Sequence, residues 1–275
     1  MALRRLSTLA IILTTYNRPD ALRLILLALA DQTELPNEVI LADDGSTYET
    51  HDLITQLKNQ LPFPIKHSWQ ADKGFRAAKI RNSAALKSES DYFIFLDGDC
   101  IPFPDFIAKH KQLMETGWFV SGHRILLNKK FTQKVLNYSL PINHAKTLQF
   151  LGHYFARRTN RLFPLMRLNL KKYRKKQAKR WQGAKSCNLG IWKKDFFSVN
   201  GFDENFIGWG YEDSDLIIRL IRSGILRKSG KYAIPVMHLW HAHNDRLQEA
   251  INYKRLVETK KNTGTRATIG IDALV

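Results

Sequence analysis

Short apolar runs separated by polar, helix-forming stretches fill the first 120 residues. Residues 9–13 are continuously apolar and of strand length, which reads as a buried strand. Pro19 stands where a helix tolerates proline, in its first turn, and the pattern predicts a helix to about Gln32. The alternation continues with a strand at 38–42, a polar helix at 48–60, a strand at 64–68, a helix at 77–87 and a strand of strong β-formers at 92–96. Strands alternating with helices predict an α/β fold around a largely parallel, doubly wound sheet, in which ligands bind at the carboxyl ends of strands. Two acidic clusters, Asp43-Asp44-Gly45-Ser46 and Asp97-Gly98-Asp99, fall on such ends.

The later pattern predicts a strand at 187–192, a short helix at 194–199, a helix at 211–223 closed by Gly224, a strand at 232–238 and a helix at 245–260. The tail beyond Asn262 is expected to be loose. No apolar run approaches the ~20 residues that span a bilayer. Arg4 and Arg5 precede an apolar stretch, but the loop-like Thr14-Thr15-Tyr16-Asn17-Arg18-Pro19 follows, so the stretch reads as a first strand and not as a leader. With 275 residues and 44% apolar composition, the chain has enough material for one large domain or two small ones, which excludes wholesale disorder. Cys100 and Cys187 are its two cysteines, too few for a disulfide framework or a cysteine-rich zinc site.

Charge changes the picture. The net charge is +18, and nearly all of it lies in residues 124–182, which hold 16 Lys and Arg and no Asp or Glu. Apolar residues such as Phe150, Leu151, Tyr154, Phe155, Leu162, Phe163 and Met166 are mixed in. A basic, amphipathic, helical insertion suits an anionic membrane surface, where each Lys or Arg is worth about 1 kcal/mol. Nucleic-acid binding and a merely solvated helix face are the rival readings.

Asp97-Gly98-Asp99 is the sharpest local signal. Two carboxylates flanking a flexible glycine after an apolar strand can face one hard cation, Mn²⁺ or Mg²⁺, alongside substrate phosphates. Lys73-Gly74-Phe75-Arg76 and Arg81-Asn82 offer positive charge to a diphosphate. His238, His241 and His243 follow a strand, and one of them is a candidate to complete the metal site. Glu212 and Asp213 open a helix behind Gly208-Trp209-Gly210; one carboxylate suits a general base, and Trp209 suits stacking on a sugar.

Together these residues resemble a family 2 glycosyltransferase of the GT-A fold. The Thr14–Arg18 segment, Asp43-Asp44-Gly45-Ser46, residues 74–82 and Asp97-Gly98-Asp99 stand in the family's order and spacing. Residues 200–213 resemble the C-terminal segment of galactosyltransferases and bacterial chondroitin-type polymerases. The resemblance covers residues 8–122 and 185–245. It implies that Asp44 holds the uracil or ribose of a UDP-sugar with Thr15 and Asn17 nearby, that Asp97 touches ribose or metal, and that Asp99 and His241 bind the metal. It implies Asp213 as the inverting base and Glu212 as a residue orienting the acceptor. Tyr211 stands where the galactosyltransferases have glycine, Ser214 replaces an acidic residue, and the basic segment has no counterpart in the family pattern.

The expected organisation is a nucleotide-sugar-binding half over 1–123, the basic insertion over 124–182, an acceptor-binding and catalytic half over 183–262, and a flexible tail over 263–275. The expected activity is metal-dependent transfer from a nucleotide sugar to a glycan or glycolipid, such as a lipopolysaccharide core, at the inner face of a cytoplasmic membrane, with no nucleic-acid partner. The alternative is a non-catalytic, basic membrane- or nucleic-acid-binding module. A sugar nucleotidyltransferase is disfavoured because no G-x-G-x-R loop appears near the N-terminus.

Overall fold

The computed structural model describes residues 7–138, 140–162, 168–242 and 245–275. Strand β1 (Leu9–Thr15) leads through helix α1 (Pro19–Ala30), β2 (Glu38–Asp43), α2 (Tyr48–Leu57), β3 (Ile65–Trp69) and α3 (Ala77–Leu86) to β4 (Tyr92–Asp97). These are the elements that the apolar pattern predicts. Alternate residues of β1 serve two cores. Leu9, Ile11 and Leu13 pack with Leu22 and Ile25 of α1 on one face, whereas Ala10 and Ile12 pack with Ile80 and Ala84 of α3 on the other. A strand buried on both faces must be apolar throughout, which is why the run is unbroken.

The chain continues through β5 (Cys100–Pro102), α4 (Phe106–Leu113), β6 (Trp118–Ser121), β7 (His123–Leu126), α5 (Lys129–Tyr138) and α6 (Thr147–Phe155). It then forms β8 (Asn188–Trp192), α7 (Lys193–Ser198), α8 (Glu212–Arg222), β9 (Leu226–Ser229), β10 (Pro235–His238) and α9 (Glu249–Lys261). The main sheet has seven strands in the order β3-β2-β1-β4-β8-β6-β9. β3, β2, β1 and β4 are mutually parallel, as are β6 and β9, while β8 runs antiparallel to both its neighbours. The result is the mostly parallel α/β sheet, flanked by helices, of the GT-A fold. The order reverses at β1. Thr15 pairs with Asp43 there, and Thr14 pairs with both Ala42 and Asp97, so three carboxyl ends meet at the crevice where such sheets bind ligands.

A small sheet of order β5-β10-β7 lies beside this crevice. β10 pairs His238 with Cys100 of β5 and with Leu126 of β7. This non-local pairing carries the histidine segment to Asp99.

The basic segment is built of short helical pieces. Residues 124–126 belong to β7, α5 and α6 are short, and Pro141, unable to extend α5, opens a 3-10 turn over Ile142–His144 instead. Phe131, Val135, Ile142 and Phe150 enter the first core. Part of the charge is structural: Arg174 is buried and donates to the carbonyls of Ser229 and Lys231 at 2.9 and 2.8 Å. Phe163, Leu165 and Met166 lie outside the described residues, as does His243. β10 starts later than expected because Tyr232 turns at φ 64°. Among the described residues, no helix is long and apolar enough to cross a membrane.

The tail is a correction of a different kind. It is latched, not loose. Asn200 donates its Nδ2 to the Ala267 carbonyl at 3.1 Å and accepts from the Asp272 amide at 2.9 Å. Ile271 is 3% exposed and joins the second core. One buried apolar side chain outweighs the fraying tendency of a short polar tail. Ile271→Ala should therefore lower the unfolding free energy by about 2–4 kcal/mol. Denaturant titration reads this directly, and an unchanged midpoint would show that the latch contributes nothing.

Candidate active site

The expected donor-binding residues gather around the turn after β2. Gly45 takes φ 100°, and a Cβ there would lie 2.6 Å from the Asp72 backbone, so the turn and the 70–76 loop approach as closely as only glycine permits. Asp44 clamps the same loop. Its Oδ2 accepts from the Arg76 amide at 2.8 Å and its Oδ1 from the Gln70 side chain at 2.5 Å. Burial raises the Asp44 pKa, and these hydrogen bonds work against that rise. Tyr16 donates its hydroxyl to Asp72 at 2.8 Å across the mouth of the loop. Asn17, at φ 47°, accepts the Thr47 amide at 2.8 Å, and Thr15 is buried at the end of β1. The Arg76 guanidinium folds back onto the Ala71 carbonyl of its own loop.

Arg81 lies differently from expectation. Its side chain is buried, and its donors go to protein groups and not outward to a diphosphate. Nε donates to Thr14 Oγ1 at 3.2 Å, Nη2 to Asp97 Oδ1 at 3.1 Å and Nη1 to Glu212 Oε1 at 3.4 Å. Its guanidinium also stands 5.4 Å from the Phe202 ring centroid. Burial opposes its charge, but Asp97, Asp213 and Glu212 outweigh that and raise its pKa. Glu212 responds the other way. Burial, then the neighbouring Asp213, push it up to about 7, against the pull of Arg81. A buried guanidinium shared between two carboxylates thus ties the strand ends to the first turn of α8.

Asp99 divides its two oxygens. Oδ2 lies 3.4 Å from His238 Nε2 and 3.3 Å from His241 Nε2, while Oδ1 accepts from the Cys100 thiol at 3.5 Å. His241 Nδ1 donates to the Ala242 carbonyl at 2.6 Å, with Nε2 on the side of Asp99. Burial lowers the His238 pKa despite Asp99, keeping that ring neutral. Asp99, Cys100 and His238 each offer a ligand atom within 4.8 Å of the others, and His241 Nε2 approaches the same Asp99 oxygen, donors of a kind that suits a divalent cation. The structure thus brings both His238 and His241 to Asp99. Asp97 is engaged by Arg81 and groups with Cys100 and Cys187.

Arg124 is a residue that the pattern reading passed over. It lies on β7 opposite Val236, two positions from the Leu126–His238 pair, so it shares a sheet face with His238. Burial opposes its charge, and the surrounding Cys187, Cys100, Asp97 and Asp99 outweigh that and raise its pKa. The available signal was its place as the first cation of the basic segment, immediately after a strand residue.

On the other side of Arg81, α8 starts from a strained turn. Gly208, Gly210 and Tyr211 all have positive φ, at 78°, 111° and 72°. Tyr211 caps the helix in the left-handed region, which explains why glycine suits this position in the resembling sequences. Its ring packs 5.5 Å from that of Tyr253. Asp213 Oδ1 is buried and has no hydrogen-bond partner among the described residues. Asp215, by contrast, pairs with Arg219 at 2.6 Å and accepts from Thr259, so it serves the fold. Trp209 has the Arg246 guanidinium 4.6 Å above its ring, which leaves one face for anything else.

The sequence pattern described as glycosyl transferase family 2 matches residues 10–184, which includes Thr15, Asn17, Asp44, Arg76, Arg81, Asp97 and Asp99. The chain belongs to this family. A second pattern, the N-terminal domain of galactosyltransferase, matches residues 167–239 and spans α8. A validoxylamine A glucosyltransferase of Streptomyces hygroscopicus subsp. limoneus is 29% identical over 234 residues, covering 79% of this chain and 48% of that protein. A chondroitin synthase of Escherichia coli is 26% identical over 242 residues, covering 80% of this chain and 33% of that protein. The chain thus spans about half or less of the length of these relatives. Among solved structures, GalNAc-T7 with UDP, GalNAc and Mn²⁺ superposes with a TM-score of 0.62 at 15% identity, covering 93% of this chain and 48% of that one, a likeness of fold.

The raised Glu212 pKa has a signed consequence. Between about 4.5 and 7 the folded chain holds a proton that the unfolded chain has lost, so this group's contribution to stability falls as pH rises through that window. Relative to Glu212→Gln, the wild type should lose unfolding free energy from pH 4.5 to 7 and then level off. A difference that stays flat with pH would rule this out.

Proposed function

We propose that the chain transfers a sugar from a UDP-linked donor to a hydroxyl of a glycan or glycolipid acceptor, with inversion at the anomeric carbon. The observation that carries this reading is the Arg81 bridge. It joins Asp97, at the carboxyl end of β4, to Glu212, whose neighbour Asp213 keeps a buried, unpaired oxygen. A donor-binding edge and a proton acceptor are thereby held to one another, as displacement on a bound sugar requires.

Thr15, Asn17 and Asp44 frame the nucleoside at the β1–β2 crevice, and Arg76 fixes the loop that closes it. Asp99, His241 and His238 would hold Mn²⁺ or Mg²⁺, and Asp97 would touch the ribose. When bound, that cation supplies charge stabilisation for the departing diphosphate. Arg124 adds a fixed guanidinium on the same side. Arg81 acts as a positioning residue and not as a donor contact. Asp213 takes the proton of the acceptor hydroxyl as its oxygen attacks the anomeric carbon opposite the leaving group. Glu212, steadied by Arg81, orients the acceptor, and the free face of Trp209 stacks on its ring. The GalNAc-T7 complex supports the donor and metal assignments by analogy of fold. The excess of Lys and Arg in residues 124–182, 16 with no Asp or Glu in the segment, supports a peripheral place at the inner face of a cytoplasmic membrane and an anionic acceptor in bacterial surface-glycan synthesis.

Thermal unfolding with nucleotides and nucleotide sugars, with Mn²⁺ and with chelator, tests the donor. A ligand that binds only the folded state must raise the midpoint, so UDP and one UDP-sugar should do so when metal is present. Asp99→Ala should abolish that rise; an undiminished rise would move the metal elsewhere. Asp213→Asn should keep the rise and lose about 10²–10⁴-fold in transfer rate. Equal losses of binding and transfer would make Asp213 structural.

A further inference from the structure

Behind the histidine segment lies a groove outside the site described above. It has a volume of about 510 Å³ and runs between the end of β7 and the turn after α6. Its frame is fixed by backbone bonds. Leu126 donates to Asn160 Oδ1 at 2.8 Å, the Asn160 amide donates to the Leu126 carbonyl at 3.1 Å, and the Asn128 amide donates to the Arg158 carbonyl at 3.0 Å. The side chains on this frame are nonetheless left outward. Phe155 is 77% exposed and Tyr154 and Leu126 are each more than one third exposed, an apolar surface left open among the described residues. Arg157 and Arg158 line the same groove, and no carboxylate among the described residues pairs with either. Arg158 is steadied by His153 Nδ1 at 3.2 Å and by the Phe131 ring at 5.5 Å.

Apolar walls lined also by two guanidinium groups that no described carboxylate pairs match a molecule that joins hydrocarbon to phosphate. Guanidinium binds phosphate through two parallel hydrogen bonds, and the walls take the chain. The position of the groove decides the source. The Leu127 amide donates to the His238 carbonyl at 2.9 Å, so the inner wall is one hydrogen bond from the strand that carries the proposed metal ligand. A lipid held only for membrane attachment has no need of that proximity. We infer that this groove seats the phosphate and adjoining hydrocarbon of an acceptor whose sugar is linked through phosphate to a lipid chain. The inference rests on the transfer reading above and names the acceptor class for it.

Full-length protein is titrated with a long-chain alkyl phosphate below its micelle concentration and with ethyl phosphate, followed by calorimetry. The alkyl phosphate should bind, ethyl phosphate should bind at least about tenfold more weakly, and Phe155→Ser and Arg157→Gln should each weaken alkyl phosphate binding by about tenfold. Both side chains are exposed, so the UDP-dependent thermal shift should persist in each variant and attest to the fold. Equal affinity for the two phosphates, or unchanged affinity in both variants, would overturn the inference. Binding to phosphatidylglycerol vesicles without binding to the monomeric alkyl phosphate would overturn it in favour of bulk bilayer attachment. A wild type that binds alkyl phosphate yet shows no response to UDP would sink the transfer reading while leaving the groove as a lipid-phosphate site.

Discussion

One buried cation holds the two halves of this molecule in register. Arg81 bonds Thr14 on β1, Asp97 on β4 and Glu212 on α8, so the crevice and the helix opposite it share a single rigid centre. Taking a guanidinium out of water is costly, and it is tolerable here because carboxylates wait on two sides and an aromatic face on a third. The adjacent Asn82 reinforces the tie. Its side chain exchanges hydrogen bonds with the backbone of Phe202, at 2.9 Å in each direction. Two successive residues of α3 therefore decide where the C-terminal half of the chain lies. Remove the guanidinium, and buried Glu212 and partly exposed Asp97 would both lose their shared partner.

The second organising device is the change of strand direction at β8. The parallel portion supplies three adjacent carboxyl ends, antiparallel β8 separates them from β6 and β9, and β7 and β10 form a small sheet with β5. His238 reaches Asp99 through the small sheet, whose register pairs it with Cys100. Packing also explains the division of labour at Asp99. The thiol behind it is buried, which raises the Cys100 pKa and keeps its proton. The carboxylate is thus braced from the rear and offers its other oxygen to the imidazoles.

Local pattern made the first half legible. Continuous apolar runs gave away β1, β2 and β4 because strands buried on both faces leave no polar positions, and Asp97-Gly98-Asp99 was visible as a strand end. What escaped depends on partners distant in the chain. Arg81 looks like any solvated arginine in a helical run until Asp97 and Glu212, 16 and 131 residues away, are placed around it. Arg124 was absorbed into a count of cations, and the strand that holds it was too short to show a period of two. The latched tail was misjudged for the same reason: the burial of Ile271 is visible only once Asn200 and the second core exist. The basic segment was legible as helical but not in its breaks, which Pro141 and four core side chains impose.

The latch at Asn200 also bears on how the protein ages. Asn200 precedes Gly201, a dipeptide in which the glycine amide nitrogen readily attacks the asparagine side chain to release ammonia through a cyclic imide. In the fold that nitrogen donates to the Phe196 carbonyl at 2.9 Å, and both polar atoms of the asparagine amide are held by the tail. The reacting atoms are thus kept engaged elsewhere. While the tail stays down, a chemically fragile bond is shielded by ordinary hydrogen bonds. Once it lifts, a reversible local opening becomes a permanent covalent lesion that inserts a negative charge beside the joint between the two halves.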